Sequence, residues 1–468
     1  MKETVYMKDC VAQFHPTLAN DKLGGKKQKI MAVSYVPGKD LIFLQNGTLV
    51  SDCAGTCRNV DCSQCGQRGV CYAIDSYTQY PAVTKNRVEN TMQLRENIDQ
   101  HFEDIYNTAV KNKVEIIRGT AVFTDEKQLT VETKEGSQDI EFKNVVIATG
   151  SSPLEVSEVP FGGRVVDTTG GLNIKELPKR LVIVGGGYVA SQLAFAFNNF
   201  GSKVTILEKE DSIIDFFDKD MVKLVKKSYA DKGVDVIEGV KITKSAQTDE
   251  TVTVTYEKDG KEETIESDYV LVSAGRVPNT SKLNLETVGV KLLENGRIDV
   301  DASLRTGVEG IYAIGDITPG PAFAHKASHD AKIVAEVISG KEAVVNYKTM
   351  PVAAYTEPEI AKVGLSADEV KGKKEYKVSK FSLAGNGRAL SLDATEGFVR
   401  MITEEKTNKI VGAQVIGVSA GDVIAELALA IELEMLAEDI SLTIHAHPSL
   451  AESVMDTAEL AMGLPIHM

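Results

Sequence analysis

Five cysteines crowd one stretch of the chain, SDCAGTCRNVDCSQCGQRGVCY: Cys53, Cys57, Cys62, Cys65 and Cys71. Thiols at that density can exchange electrons as a disulfide, hold a metal, or sit reduced in a Cys-rich segment. The spacing C-x3-C-x4-C-x2-C-x5-C contains one Cys-x2-Cys pair. Four thiolates satisfy Zn²⁺ or an iron–sulfur cluster, so all five are candidate metal ligands. The three readings stay open on spacing alone.

A second chemistry-bearing stretch is RLVIVGGGYVASQLAFAFNNFGSKVTILEKE. An apolar strand runs into a glycine turn, then a helix without breakers, then a second apolar strand that ends on an acid. Gly185 allows the turn out of the strand. Gly186 and Gly187 let the backbone approach a pyrophosphate, and Ala190 keeps the helix close to the strand. The N–H groups of the helix head, over Tyr188 and Val189, hold phosphates. Glu208 closes the second strand, where a carboxylate accepts both ribose hydroxyls and repels a 2′-phosphate. The reading is NAD rather than NADP.

Two further groups stand at strand or helix ends. In GIYAIGDITPGPAFAHKASHDA an apolar strand ends in Gly315-Asp316, and a Pro/Gly loop leads to a helix opening at about Ala324. The carboxylate suits polyol hydroxyls and the helix head suits an anion. In HAHPSLAES, His447 precedes a helix and Glu452 lies on its first turns. A carboxylate there can accept from one imidazole nitrogen, fix the tautomer and leave the other nitrogen for acid–base work.

The elements that position these groups alternate short strands with helices. KVEIIRGTAVF, QLTVET and DIEFKNVVIATG read as strands, as do DYVLVSAGRVPNT, AAYTEPEIAKVGL, EGFVRMITEE and KIVGAQVIG. VIAELALAIELEMLAEDI and SLAESVMDTAELAMG read as helices. A chain of 468 residues has room for several domains. The net charge of −15 argues against a nucleic-acid surface. The acidic excess falls beyond residue 103, and all six cysteines fall before it, which marks a boundary near residue 100. No apolar run reaches membrane-spanning length. The opening MKETVYMKDC lacks a basic and an apolar region, so no secretory signal is expected and the cytoplasm is the expected compartment.

VVIATGSSP, VIVGGGYVASQ, SAGRVPNT, GIYAIGDITPGPAFAHKA, AAYTEPEIAKVG and HAHPSLAES occur in this order over about residues 105–468. Together they resemble the pyridine nucleotide–disulfide oxidoreductases, and within them the branch that oxidises dihydrolipoamide rather than glutathione or mercuric reductases. The resemblance implies an α/β flavoprotein fold with two dinucleotide-binding domains and a C-terminal α+β dimerisation domain. It implies FAD lying between a redox-active cysteine pair and NAD, with electrons passing from dihydrolipoamide through the pair and FAD to NAD. Thr149, Gly150, Ser151, Asp316, Ala322, Phe323, Ala324 and His325 would line FAD. Gly185 through Gln192, Glu208, Val240 and Gly275 would bind NAD, with Gln192 standing where the family usually has Glu. His447 would be the acid–base of thiol exchange, oriented by Glu452, and would reach the partner subunit's disulfide. The resemblance thus implies an obligate homodimer, with dihydrolipoamide expected on a lipoyl domain of a 2-oxoacid dehydrogenase complex.

The front of the chain departs from this pattern. No GxGxxG precedes residue 104, so a Cys-rich segment stands in place of the usual first FAD-binding β-α-β unit. GTCRNVDC matches the family's disulfide motif with its four-residue gap, which implies Cys57 and Cys62 as the redox pair. However, Ser63-Gln64-Cys65 replaces the usual P-S-K. Residues 1–103 also resemble a Cys-rich phage- and plasmid-associated family of unassigned function. The expected division is 1–103, an atypical Cys-rich segment; 104–152 with 276–347, FAD-binding; 153–275, NAD-binding; and 348–468, dimerisation. The alternative is a hybrid, with a metal- or partner-binding front module on an NAD-binding remainder without disulfide activity.

Overall fold

The computed structural model describes residues 107–174 and 176–467, with the backbone of three short strands upstream: Ile30–Ser34, Phe43–Gln45 and Thr48–Val50. Cys53, Cys57, Cys62, Cys65 and Cys71 lie outside the described residues, and with them the metal and disulfide readings of that stretch. The chain divides into two compact units. One runs to Leu154 and resumes over Gly275–Val345; the other takes Glu155–Ala274 and Asn346–Met468.

The first unit is built on a parallel sheet in the order Ile30–Ser34, Asn144–Ala148, Ile311–Ala313. Alternation along the middle strand sorts its two faces. Val146 joins Tyr312 and Ile314 against Ala331, Val334 and Val337 of the helix Ala324–Ile338. Val145 and Ile147 join Phe123, Leu129 and Ile311 on the opposite side. There an antiparallel sheet of Thr120–Asp125, Gln128–Thr133 and Gly136–Glu141 completes the layer.

The second unit holds a five-stranded parallel sheet in the order Asp235–Ile237, Lys203–Leu207, Arg180–Val184, Tyr269–Val272, Val165–Val166. Arg180–Val184 is central, and the strand order reverses on either side of it. Its C-terminal end is the crevice where open α/β sheets take ligands. Val182, Val184 and Leu207 pack against Val252 and Val254 of an antiparallel sheet, while the helix Tyr188–Asn199 meets the same parallel strands. In the same unit five antiparallel strands follow in the order Val352–Ala354, Ile360–Gly364, Ile410–Ile416, Phe398–Glu404, Tyr376–Ser382. The helices Ala420–Glu432, Ala437–Leu442 and Glu452–Met462 cover that sheet, with Leu427, Ala430, Ile440 and Val454 in its core.

Several expectations about elements are corrected. AAYTEPEIAKVGL and DYVLVSAGRVPNT each give two strands, Val352–Ala354 with Ile360–Gly364 and Tyr269–Val272 with Arg276–Pro278. KVEIIRG is not a strand; pairing begins at Thr120. DIEFKNVVIATG is two strands, because Phe142 donates its N–H to the Lys127 carbonyl and ends the first before Asn144 starts the second. The single helix read from VIAELALAIELEMLAEDI is two. Glu434 adopts φ +56°, and the backbone around it is taken by the strand start: Ile410 donates to Met435, and Ala437 donates to Asn408. LIFLQNG has a partner the sequence does not reveal, since Phe43–Gln45 pairs antiparallel with Thr48–Val50. Among the described residues no helix is long and apolar enough to cross a membrane.

Ile183, 0 % exposed at the centre of the five-stranded sheet, tests the core directly. Ile183→Ala should lower stability by about 2–5 kcal/mol in chemical denaturation, the usual scale for a buried Ile truncated to Ala. A loss under ~1 kcal/mol would mean the strand is not the core of this unit.

Candidate functional site

The glycine turn sits at the C-terminal end of Arg180–Val184. Gly185 adopts φ +100°, and a Cβ there would collide with the Ser273 carbonyl. Only glycine allows the chain to pass this close to the neighbouring strand. Gly187 is the residue before the helix Tyr188–Asn199 and supplies no side-chain cap to it. A Cβ on Gly187 would meet nothing within 4 Å. The helix head is therefore open on the side a pyrophosphate would approach, and the residues fit that group. Ala190 is fully buried, as the close approach of helix to sheet requires, and Gln192 is buried on the next turn. Tyr188 sets its ring edge-on to Phe216 at 6.4 Å, and Val189 is half-buried beside it.

Glu208 is buried, one residue past Lys203–Leu207. Its Oε2 accepts the Gly186 N–H and its Oε1 accepts the Glu210 N–H at 2.8 Å. A carboxylate has about four acceptor sites, so one on each oxygen remains for a ribose hydroxyl. Val240 is tied in by its N–H to the Glu208 carbonyl at 3.0 Å. Gly275 (φ +130°) belongs to the other unit, where its carbonyl accepts the Leu154 N–H at 2.9 Å.

In the first unit, Thr149, Gly150, Ser151 and Asp316 come together. The Ser151 hydroxyl donates to Asp316 Oδ2 at 2.5 Å and accepts from Arg276 Nε at 2.6 Å. Arg276 Nη2 holds the Ser151 carbonyl, and its Nε lies 3.9 Å from the Asp316 carboxylate. Thr149 donates to the Asn279 carbonyl at 2.7 Å, and Asn279 donates back to the Thr149 carbonyl at 3.0 Å. Gly150 (φ +65°) accepts the Asn279 N–H at 2.9 Å. The network engages Asp316 Oδ2, and the side chain keeps 22 % of its exposure.

Below Asp316 lies a clamp the sequence does not announce. Lys326 and Asp330 are fully buried and 2.9 Å apart. Lys326 donates to the Gly315 carbonyl and Asp330 accepts the Gly315 N–H, at 3.1 and 3.0 Å. Both backbone groups of Gly315, the residue before Asp316, are thus held. Ala322, Phe323, Ala324 and His325 form the head of the helix Ala324–Ile338, where the Phe323 ring stacks on His325 at 5.0 Å.

His447 and Glu452 meet as expected: His447 Nδ1 lies 2.8 Å from Glu452 Oε1. Glu452 Oε2 accepts the Ser449 N–H at 2.7 Å. Burial works to raise the Glu452 carboxyl, but the Ser449 N–H and the His447 ring outweigh it and hold it below 4.5, its ordinary value. The His447 side chain is 78 % exposed, so Nε2 is open to a substrate. A second pair escapes sequence reasoning. His445 is buried with Nδ1 at 2.8 Å from the Thr443 carbonyl and Nε2 at 2.9 Å from Glu426. It sits in the same HAHP stretch, but Glu426 is on a different helix, and no spacing rule links them. Among the described residues no cluster of His, Cys, Asp and Glu could hold a metal.

Two outcomes follow. Because Gly187 faces open space at an ordinary φ of −66°, Gly187→Val should leave the melting temperature unchanged and weaken NADH binding at least ~10-fold; equal affinity would place the pyrophosphate elsewhere. The native Glu452 pKa is depressed, so its contribution to stability is complete above 4.5 and is lost as pH falls through the native value. Glu452→Gln should therefore be less stable than the parent at pH 7, with the gap closing in acid; a gap constant with pH in stepped denaturation series would exclude the carboxylate as its source.

Comparison with known proteins agrees with this geometry. The model described as pyridine nucleotide-disulphide oxidoreductase matches residues 52–331, and that of the family's dimerisation domain matches residues 350–458. The first match starts upstream of the described residues and takes in the cysteine stretch. A dihydrolipoyl dehydrogenase of Staphylococcus aureus is 45 % identical over 448 residues, 92 % of this chain and 93 % of that one. One from Geobacillus stearothermophilus is 47 % identical over 358 residues, 76 % of each chain. Among solved structures, a Cu(II) complex of the HOCl-induced flavoprotein disulfide reductase RclA from Escherichia coli superposes with a TM-score of 0.75 at 27 % identity, covering 86 % of this chain and 90 % of that one. An open glycine turn closed by an acid, an Asp at a strand end and a His–Glu pair thus lie on a chain that a relative matches over 92 % of its length, and the chain belongs to the pyridine nucleotide–disulphide oxidoreductase family.

Proposed function

We propose that the chain is an FAD- and NAD-dependent disulfide oxidoreductase that oxidises dihydrolipoamide and works as a homodimer. The observation that carries this is the 45 % identity with a dihydrolipoyl dehydrogenase over 92 % of the chain, joined to a dimerisation-domain match over 350–458. The family match from residue 52 supports reading Cys57 and Cys62 as the redox pair. It counts against a foreign front module over the cysteine stretch, and nothing in the comparisons supports zinc or an iron–sulfur cluster at Cys53, Cys57, Cys62, Cys65 and Cys71.

FAD, when bound, carries two electrons from the cysteine pair to NAD. The chain's own residues prepare and bracket that transfer. His447 gives Nδ1–H to Glu452 and keeps Nε2 as the base that takes a thiol proton from dihydrolipoamide. The thiolate attacks one sulfur of the Cys57–Cys62 disulfide, and the mixed disulfide resolves to lipoamide and two cysteine thiols. Two electrons and two protons leave the substrate. Thr149, Gly150, Ser151 and Asp316, with Ala322–His325, would hold the polyol and phosphate chain of FAD. Gly185, Gly186, Gly187, Tyr188, Val189, Ala190, Gln192, Glu208 and Val240 would hold NAD. Dihydrolipoamide presented on a lipoyl domain of a 2-oxoacid dehydrogenase complex, in the cytoplasm, is the setting this chemistry suits.

Purified protein should be yellow, bleach on addition of dihydrolipoamide and recover on addition of NAD; colourless protein, or a spectrum indifferent to dihydrolipoamide, would exclude the reading. Cys57→Ser should abolish lipoamide turnover and spare NADH binding, and unchanged turnover would remove the pair from the reaction. His447→Gln should slow thiol exchange by roughly 10²–10⁴, the usual worth of acid–base catalysis, and a loss below about tenfold would remove His447 from that role.

A further inference from the structure

The turn that follows Glu208 lies directly on the glycine turn. Ile214 donates its N–H to the Gly186 carbonyl at 2.8 Å. A Cβ on Gly186 would fall 2.5 Å from Ile213 Cγ2, so the two segments touch backbone to side chain. Ile214 is a buried β-branched residue at φ +40°. That conformation costs free energy for such a side chain and persists only where surrounding contacts enforce it.

The residues that follow Ile214 are held by the antiparallel sheet of the C-terminal part, in the same unit. Asp218, 4 % exposed, accepts from Arg400 Nη1 at 3.2 Å and from the Asp368 N–H at 3.0 Å. Arg400 also pairs with Asp220 through Nη2. It donates to Gln414, its register partner on the next strand, at 2.8 Å and lies over the Phe398 ring at 4.6 Å. Lys362 donates to the Phe216 carbonyl at 2.5 Å. From the other side Glu238 accepts the Ile213 N–H at 2.9 Å. Ile213–Asp218 is thus pinned at both ends, with its strained residue set against Gly186.

We infer that Arg400, seconded by Lys362, is a positioning residue for the nicotinamide dinucleotide: by gripping Asp218 it holds the strained turn at Ile214 and so fixes the Gly186 peptide under the pyrophosphate. Arg400 touches no substrate. It acts through Asp218 and Ile214, linking the dimerisation-type sheet to the NAD cradle. The inference rests on the NAD reading of the glycine turn.

Calorimetric titration of NADH into the full-length protein, with melting temperatures alongside, tests it on the parent, Arg400→Met, Lys362→Met and Arg400→Met/Ile214→Gly. Arg400→Met should weaken NADH binding about tenfold, the scale of releasing one strained residue. Lys362→Met should weaken it about threefold, in line with one lost hydrogen bond. Glycine accepts φ +40° without strain, so adding Ile214→Gly should restore most of the affinity while lowering the melting temperature further through the lost buried side chain. Opposite movement of the two readouts is what a purely stabilising role for Arg400 would not produce. Parent-like affinity in Arg400→Met, or an affinity loss in it that tracks melting temperature and is not recovered by Ile214→Gly, overturns the inference. Should Arg400→Met fail to fold, Lys362→Met decides, and parent-like affinity there overturns it. A parent that binds no NADH overturns the NAD reading itself, and the inference with it.

Discussion

The first N–H groups of a helix have no partners within it, and a phosphate satisfies them only if nothing else stands in the way. That constraint organises the second unit. Arg180–Val184 must end in residues that can turn sharply without side chains, so Gly185 takes φ +100° beside the Ser273 carbonyl. The helix must start without a side-chain cap, so Gly187 stands where Ser, Asp or Asn would otherwise cap it. The acid proposed to meet the ribose reaches back to the turn: Glu208 accepts the Gly186 N–H. Each choice weakens the isolated element and suits a phosphate ligand.

Buried ionic groups hold the turns that glycine leaves loose. Lys326 and Asp330 bracket the Gly315 peptide ahead of Asp316, and Arg400 with Asp218 secures the turn that lies on Gly186. A buried ion pair adds little net stability over apolar packing, but it fixes geometry, because removing either partner strands a charge. In both units the pair sits one step behind the residue that would meet a cofactor. Geometry of that kind favours a precise site over a tolerant one.

Much of this was legible in the sequence, because the legible parts are local. The β-α-β unit around Gly185–Glu208, the helix opening at Ala324 and the pairing of His447 with Glu452 each lie within about thirty consecutive residues, where periodicity and turn chemistry act directly. The illegible parts are long-range. Nothing near Arg400 names Asp218, and nothing near His445 names Glu426. At Glu434 a sequence with unbroken helical character breaks where Ala437 donates to the Asn408 carbonyl and Met435 accepts from Ile410. Arg276 and Asn279 were visible only as part of SAGRVPNT, since their partners Ser151 and Thr149 lie more than a hundred residues upstream.

By this reading the open helix head and the carboxylate behind it select an unphosphorylated nicotinamide dinucleotide. Equilibrium titration of the purified protein with NADH and with NADPH tests it most directly. Glu208 would face the 2′-phosphate, so NADH should bind at least about tenfold more tightly than NADPH. NADPH binding as tightly as NADH, or neither binding at all, would contradict the account.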